Sequence, residues 1–141
     1  MHRKRNLIVV GAGCLVVAGV VLVLGGCSAI VQRTSARRVP LSYFGQISAG
    51  VPVVADRRVT IPLSFSGGDY AGNSAVAPYR IKSRVSGGEI DMTVVVALVG
   101  SGSISKYQIV LSGVSPGDYT VFYRDPDGTR YKLSQIAITR P

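Results

Sequence analysis

The sequence predicts an all-β fold: a small antiparallel β-sandwich of about seven strands behind an N-terminal hydrophobic signal or anchor helix. Three observations carry this. Apolar residues alternate with polar ones from Leu41 to the C-terminus, the period of half-buried strands. Gly- and Pro-containing breaks, at Gly67-Gly68, Gly87-Gly88, Gly100–Gly102 and Pro116-Gly117-Asp118, separate the alternating runs at short intervals. A long apolar run without a charge, Leu7–Leu24, lies near the N-terminus. With 141 residues the chain is one domain long. Its two cysteines rule out a disulfide-rich scaffold, and its 47% hydrophobic content rules out a disordered chain.

The N-terminus reads as an address. His2-Arg3-Lys4-Arg5-Asn6 is a short basic start, and the apolar run follows it, as in a secretory signal. The run is long for that role. A membrane-spanning helix needs about 20 apolar residues, so an uncleaved anchor is the rival reading, weakened by Gly11, Gly13 and Gly19. The run ends in Leu24-Gly25-Gly26-Cys27, an aliphatic residue, two small residues and a cysteine. This resembles the lipobox of bacterial lipoproteins. The resemblance implies cleavage between Gly26 and Cys27 and a diacylglyceryl thioether on the Cys27 thiol. Further acyl chains would hold the protein stably where a single chain would not. Ser28 follows; the absence of Asp there favours the outer over the inner membrane if the envelope is Gram-negative. Cys14 reads as a small apolar residue of the leader.

Three segments follow: residues 1–26 as signal peptide, 27–39 as lipidated cysteine and flexible basic tether, 40–141 as the sandwich. Removing 1–26 leaves 13 basic and 7 acidic residues, so the positive charge belongs to the domain. It also removes His2, the only histidine, and with it any imidazole for acid–base or metal chemistry. Arg33, Arg37 and Arg38 of the tether would lie near an anionic membrane surface.

The strands are expected at Leu41–Ile47, Val59–Phe65, Tyr79–Val85, Ile90–Val99, Tyr107–Leu111, Tyr119–Tyr123 and Arg130–Ile138. Pro62 lacks an N–H, which places the second at a sheet edge. Val94–Val99 is apolar on both faces, which makes the fourth strand central. In the last, the apolar parity shifts between Leu133 and Ile136, so a bulge is expected near Ser134 or Gln135. The loop from Ser66 to Pro78 is the longest gap. Leu111–Tyr123, with its Pro116-Gly117 turn and Tyr119-Thr-Val121 strand, resembles the strand–turn–strand of prealbumin-like and immunoglobulin-like sandwiches. That resemblance implies a fold and a binding or spacing role, and no catalytic residue.

Candidate chemistry is sparse. Asp125-Pro126-Asp127-Gly128 fits a tight turn; as a calcium loop it fails, because Ile136 stands where a Glu would be needed. Ser103-Ile104-Ser105-Lys106 matches the S-x-x-K pattern, yet it lies between strands and lacks a K-[ST]-G partner. Glu89 and Asp91 share one strand face, the one arrangement with acid–base potential, and read more simply as charges facing water. No catalytic residue, metal site or cofactor is assigned.

The sharpest surface feature is basic. Arg80, Lys82 and Arg84 alternate with Ile81 and Val85, which places the three cations on one face about 7 Å apart. Arg130 and Lys132 share a parity in the last strand. If the two strands are neighbours, the five form a face for an anionic envelope polymer, lipid head groups or an acidic protein partner. Nucleic acid is not expected, since the protein is exported and no stacking aromatics interleave with Arg80–Arg84. The expectation is a non-enzymatic binding or structural module held to the bacterial envelope, periplasm-facing. A bitopic subunit that keeps Leu7–Leu24 as a packing helix and a small envelope hydrolase are the alternatives.

Overall fold

The computed structural model describes residues 33–72, 75–100 and 103–139. The leader run Leu7–Leu24, Cys14, Gly26 and Cys27 lie outside the described residues. Among those described, no helix is long and apolar enough to cross a membrane.

Among the described residues, nine strands form two sheets: β1 (Arg37–Arg38), β2 (Gln46–Ala49), β3 (Val53–Ala55), β4 (Arg58–Ser66), β5 (Val76–Ser86), β6 (Glu89–Leu98), β7 (Gln108–Ser112), β8 (Gly117–Arg124) and β9 (Arg130–Ile138). A 3-10 turn (Leu41–Phe44) precedes β2, and a five-residue helix, α1 (Gly68–Gly72), lies in the β4–β5 connection. In the first sheet the order is β5-β6-β8-β9, with β1 beside the far half of β6. In the second, β4 lies between β7 and a broken strand made of β2 and β3.

The core forms where the period-two residues of both sheets meet. Ile90, Met92, Val94 and Val96 line the inner face of β6, and Val59, Ile61 and Leu63 that of β4, all buried. Tyr119, Val121 and Tyr123 continue the layer along β8. One end is filled by rings. Phe44, fully buried, stacks on Phe65 at 4.7 Å and meets Tyr70 and Tyr123 at 5.6 and 6.4 Å. The Tyr70 and Tyr107 hydroxyls bond at 3.0 Å. Burial, then that hydrogen bond, push the Tyr70 hydroxyl up to about 12.

The β6 strand is central, with β5 on one side and β8 and β1 on the other. The predicted bulge falls one residue early: Val121 faces Ser134 and Phe122 faces Lys132, so Leu133 is the extra residue. A second bulge sits in β5, where Tyr79 is skipped between Pro78 and Arg80. The Asp125–Gly128 turn closes as expected, with the Gly128 N–H donating to the Asp125 carbonyl at 3.0 Å.

Four expectations need correction. The sandwich is not purely antiparallel: β6 and β8 run parallel, Glu89 beside Thr120 and Asp91 beside Phe122, because the chain passes through β7 in the other sheet between them. Residues 37–39, expected in the flexible tether, belong to the sandwich. Arg37 and Arg38 pair with Val96 and Val95, Val39 is buried, and the Tyr123 hydroxyl donates to the Val39 carbonyl at 2.6 Å. Leu41–Phe44 is not strand. It turns so that both Tyr43 and Phe44 enter the core, which adjacent residues of a strand cannot do.

The fourth correction concerns Pro62, which lies in the middle of its sheet. Its carbonyl accepts from Gly50 on the β2–β3 side, and the next residue, Leu63, donates to the Tyr107 carbonyl on the β7 side. The N–H that Pro62 lacks would therefore point to the same side, beside Gly50, where the neighbouring strand is interrupted between β2 and β3. Gly50 lies over the proline ring: a Cβ there would come within 2.9 Å of Pro62 Cγ.

Candidate functional site

The candidate site is the outer face of the first sheet. The β5–β6 hairpin turns through Gly87-Gly88, with Gly87 at φ 58°, a backbone conformation that glycine adopts freely. Its register sets Arg84 beside Asp91, Lys82 beside Thr93 and Ser86 beside Glu89. Alternation then puts Arg80, Lys82 and Arg84 in water while Ile81 and Val85 lean on the core. The parallel neighbour β8 contributes Phe122 and Arg124, and β9 adds Arg130 opposite Arg124 and Lys132 opposite Phe122.

Two arginines directly opposite each other repel. Here the carboxylates of β6 relieve them. Arg124 donates to Asp91 at 2.7 Å. Arg130 donates to Asp91 at 2.8 Å and to Glu89 at 2.7 Å, and its guanidinium lies 4.1 Å from the Phe122 ring centre. The Asp91 side chain is only 22% exposed. Burial alone would raise its pKa, but the hydrogen bonds from Arg124 and Arg130 outweigh it and hold the carboxyl below the usual carboxylate range. The hydrogen bond to Glu89 in turn raises Arg130. Lys82, Arg84, Glu89, Asp91, Arg124 and Arg130 line an open depression of about 510 Å³, together with Thr93 and the serines of β5.

The five predicted cations therefore share a face but differ in state. β5 and β9 are not neighbours, as the basic-face reading required; β6 and β8 stand between them, and β6 carries the counter-charges Glu89 and Asp91. Arg130 is committed to Glu89 and Asp91. Among the described residues, no carboxylate lies within ion-pair distance of Arg80, Lys82, Arg84 or Lys132. Arg80 lies 5.8 Å from the Tyr79 ring centre. Sequence reasoning passed over Glu89 and Asp91 as solvated charges and left Arg124 and Phe122 out of the face. The shared parity of Glu89 with Asp91, and of Phe122 with Arg124, was the available signal.

The arrangement can hold anions at its free cations and shows little capacity for proton transfer. Asp91 is kept ionised between two arginines, and Glu89 is bonded to one of them. Among the described residues, no three His, Cys, Asp or Glu side chains gather in a way that could hold a metal ion. Fold and face together define a two-sheet β-sandwich that displays a polarised, mainly cationic sheet surface. No protein-family model, no curated protein and no solved structure matches this chain.

Proposed function

We propose that this chain is a lipid-anchored protein of the bacterial envelope, joined to the membrane through Cys27, and that its sandwich is a non-enzymatic binding or structural module. The prealbumin-like or immunoglobulin-like reading of the domain belongs to the same proposal. It is supported by the corner before β8, where the Tyr119 hydroxyl donates to the Ser115 carbonyl at 2.9 Å, the bond of a tyrosine corner. The observation that carries the binding role is the row Arg80, Lys82 and Arg84, outward and without ion-pair partners among the described residues. Three like charges spaced along one strand cost self-repulsion. A ligand with repeated negative charges would relieve it. The ligand class is therefore an anionic polymer or acidic partner surface of the envelope.

Two measurements test the proposal. The intact mass of protein taken from host membranes, beside Cys27→Ser, should show a chain beginning at Cys27 and heavier by acyl groups, a species the variant lacks. A full-length unmodified chain would instead mean that Leu7–Leu24 is retained as a membrane span. For the face, Arg80→Glu, Lys82→Glu and Arg84→Glu combined should leave the melting temperature near that of the parent. The same variant should abolish salt-sensitive binding to purified lipopolysaccharide or wall polymer. Binding that neither salt nor these substitutions change would refute the anionic-ligand role.

A further inference from the structure

The apolar run that made β6 central is not wholly covered. Leu98 is 40% and Val99 57% exposed, at the very end of the strand. Their backbones continue the ladder with β5, Leu98 beside Val76 and the Val99 N–H donating to the Ala75 carbonyl at 2.9 Å, while inner-face residues such as Val94 and Val96 fill the core. The N-terminal part of the chain arrives at this same end. Ser35 Oγ accepts from the Leu98 N–H at 3.2 Å, and β1 pairs with Val95 and Val96 just inside. Cys27 lies only six positions before Arg33, a reach of at most about 20 Å.

The rest of this end is suited to an interface. Arg33 and Arg37 are exposed on the segment that bonds Leu98 and pairs with Val96. Exposed apolar side chains beside cations are what an anionic lipid surface receives. The charged depression lies the other way along the strands. From Leu98 to Asp91 is seven residues of β6, about 23 Å at the rise of a strand.

We infer that the Leu98–Val99 end of the sandwich rests on the lipid surface, with Leu98 and Val99 dipping into the head-group region. The strands then stand away from the bilayer and hold the Arg84–Asp91 depression about 20 Å out from it. This rests on the reading that the N-terminus anchors the chain to a membrane, whether through acyl groups or a retained span. It deepens that reading by fixing which way the charged face points. Its ligand is then a polymer or partner that extends above the membrane, rather than the head groups beneath the domain.

The chain contains no tryptophan, so a single one reports a single place. Val99→Trp, Leu98→Trp and Ser86→Trp are made in the full chain and reconstituted into phosphatidylglycerol–phosphatidylethanolamine vesicles, with and without brominated acyl chains. Trp at 99 or 98 should emit to the blue of Trp at 86. Its emission should fall about twofold with brominated lipid, as a shallowly inserted ring does, while Trp at 86 is unchanged. Because 98 and 99 are both partly exposed, loss of folding in one variant leaves the other to decide. Unquenched emission from protein that sediments with the vesicles overturns the orientation and leaves the anchor reading standing. Equal quenching at 86 and 99 also overturns it, since the domain would lie flat. Protein that does not sediment with the vesicles overturns both.

Discussion

Asp91→Asn should lower stability and raise anion binding at once. The carboxylate bridges Arg124 and Arg130, but the losses are unequal. Arg130 keeps its 2.7 Å bond to Glu89 and its place over Phe122, whereas Asp91 is the one ion-pair partner that Arg124 has among the described residues. Arg124 is 43% exposed, so solvent screens the pair, and its loss costs about 0.5 kcal/mol. In a domain of this size that lowers the melting temperature by about 2–4 °C. The loss depends on pH. Asp91 sits below its unfolded value, so its contribution is complete above about pH 4 and disappears as pH falls through the folded value. Melting curves of the parent and Asp91→Asn should therefore differ at pH 7 and draw together as pH falls below about 4.

Binding moves the other way. Removing one negative charge about 7 Å from a ligand anion lifts a repulsion of about 0.6 kcal/mol in water, close to threefold in affinity. Titration with lipopolysaccharide in low salt should show that gain, and it should shrink as salt is added. If Asp91→Asn instead weakens binding as much as Arg84→Glu, the carboxylate touches the ligand, and the picture of Asp91 as counter-charge is wrong.

Two further outcomes follow from the backbone. Asp56 and Arg57 turn the β3–β4 hairpin with φ of 48° and 63°, which glycine tolerates best, so Arg57→Gly should stabilise the domain by about 0.5–1 kcal/mol in urea unfolding; a destabilised variant would show that the arginine side chain matters more than the turn. Asp125 is 7% exposed and its Oδ1 accepts from the Leu41 N–H at 2.8 Å, so Asp125→Ala should cost about 1–3 kcal/mol and speed amide exchange at Leu41, while Asp127→Ala, at an exposed turn position, should leave the melting temperature nearly unchanged.

The strands with a buried and a wet face were legible because alternation is a local signal. β4 through β9 can be read from their own residues, and even the bulge at Leu133 appears as a slip in parity. What the sequence hid depends on distant partners. β1 has two residues and no period of its own; it is a strand because Val95 and Val96 offer it an open ladder. β3 was invisible because its hairpin turns on Asp56-Arg57 without the glycine that usually marks such a turn. Pro62 misled because a proline is tolerated inside a sheet where the adjoining strand is interrupted: at the break between β2 and β3 only Gly50 stands beside it, as a donor to its carbonyl. The ion pairs join residues 33 to 41 positions apart. No spacing rule predicts them until the parallel β6–β8 register is known.

That register also bears on what the face is for. Of the charged residues in the strands, Arg58 alone belongs to the second sheet; Arg37, Arg38, Arg80, Lys82, Arg84, Glu89, Asp91, Asp118, Arg124, Arg130 and Lys132 all belong to the first. A need for solubility alone would spread charge over both outer faces. The second sheet instead shows water Thr60, Ser64 and Val110, and it folds with almost no charge. Concentrating the cations on one sheet brings self-repulsion, which Glu89 and Asp91 relieve at the β8–β9 side and leave standing along β5. An unrelieved row beside a relieved cluster is what the proposed anionic ligand would complete.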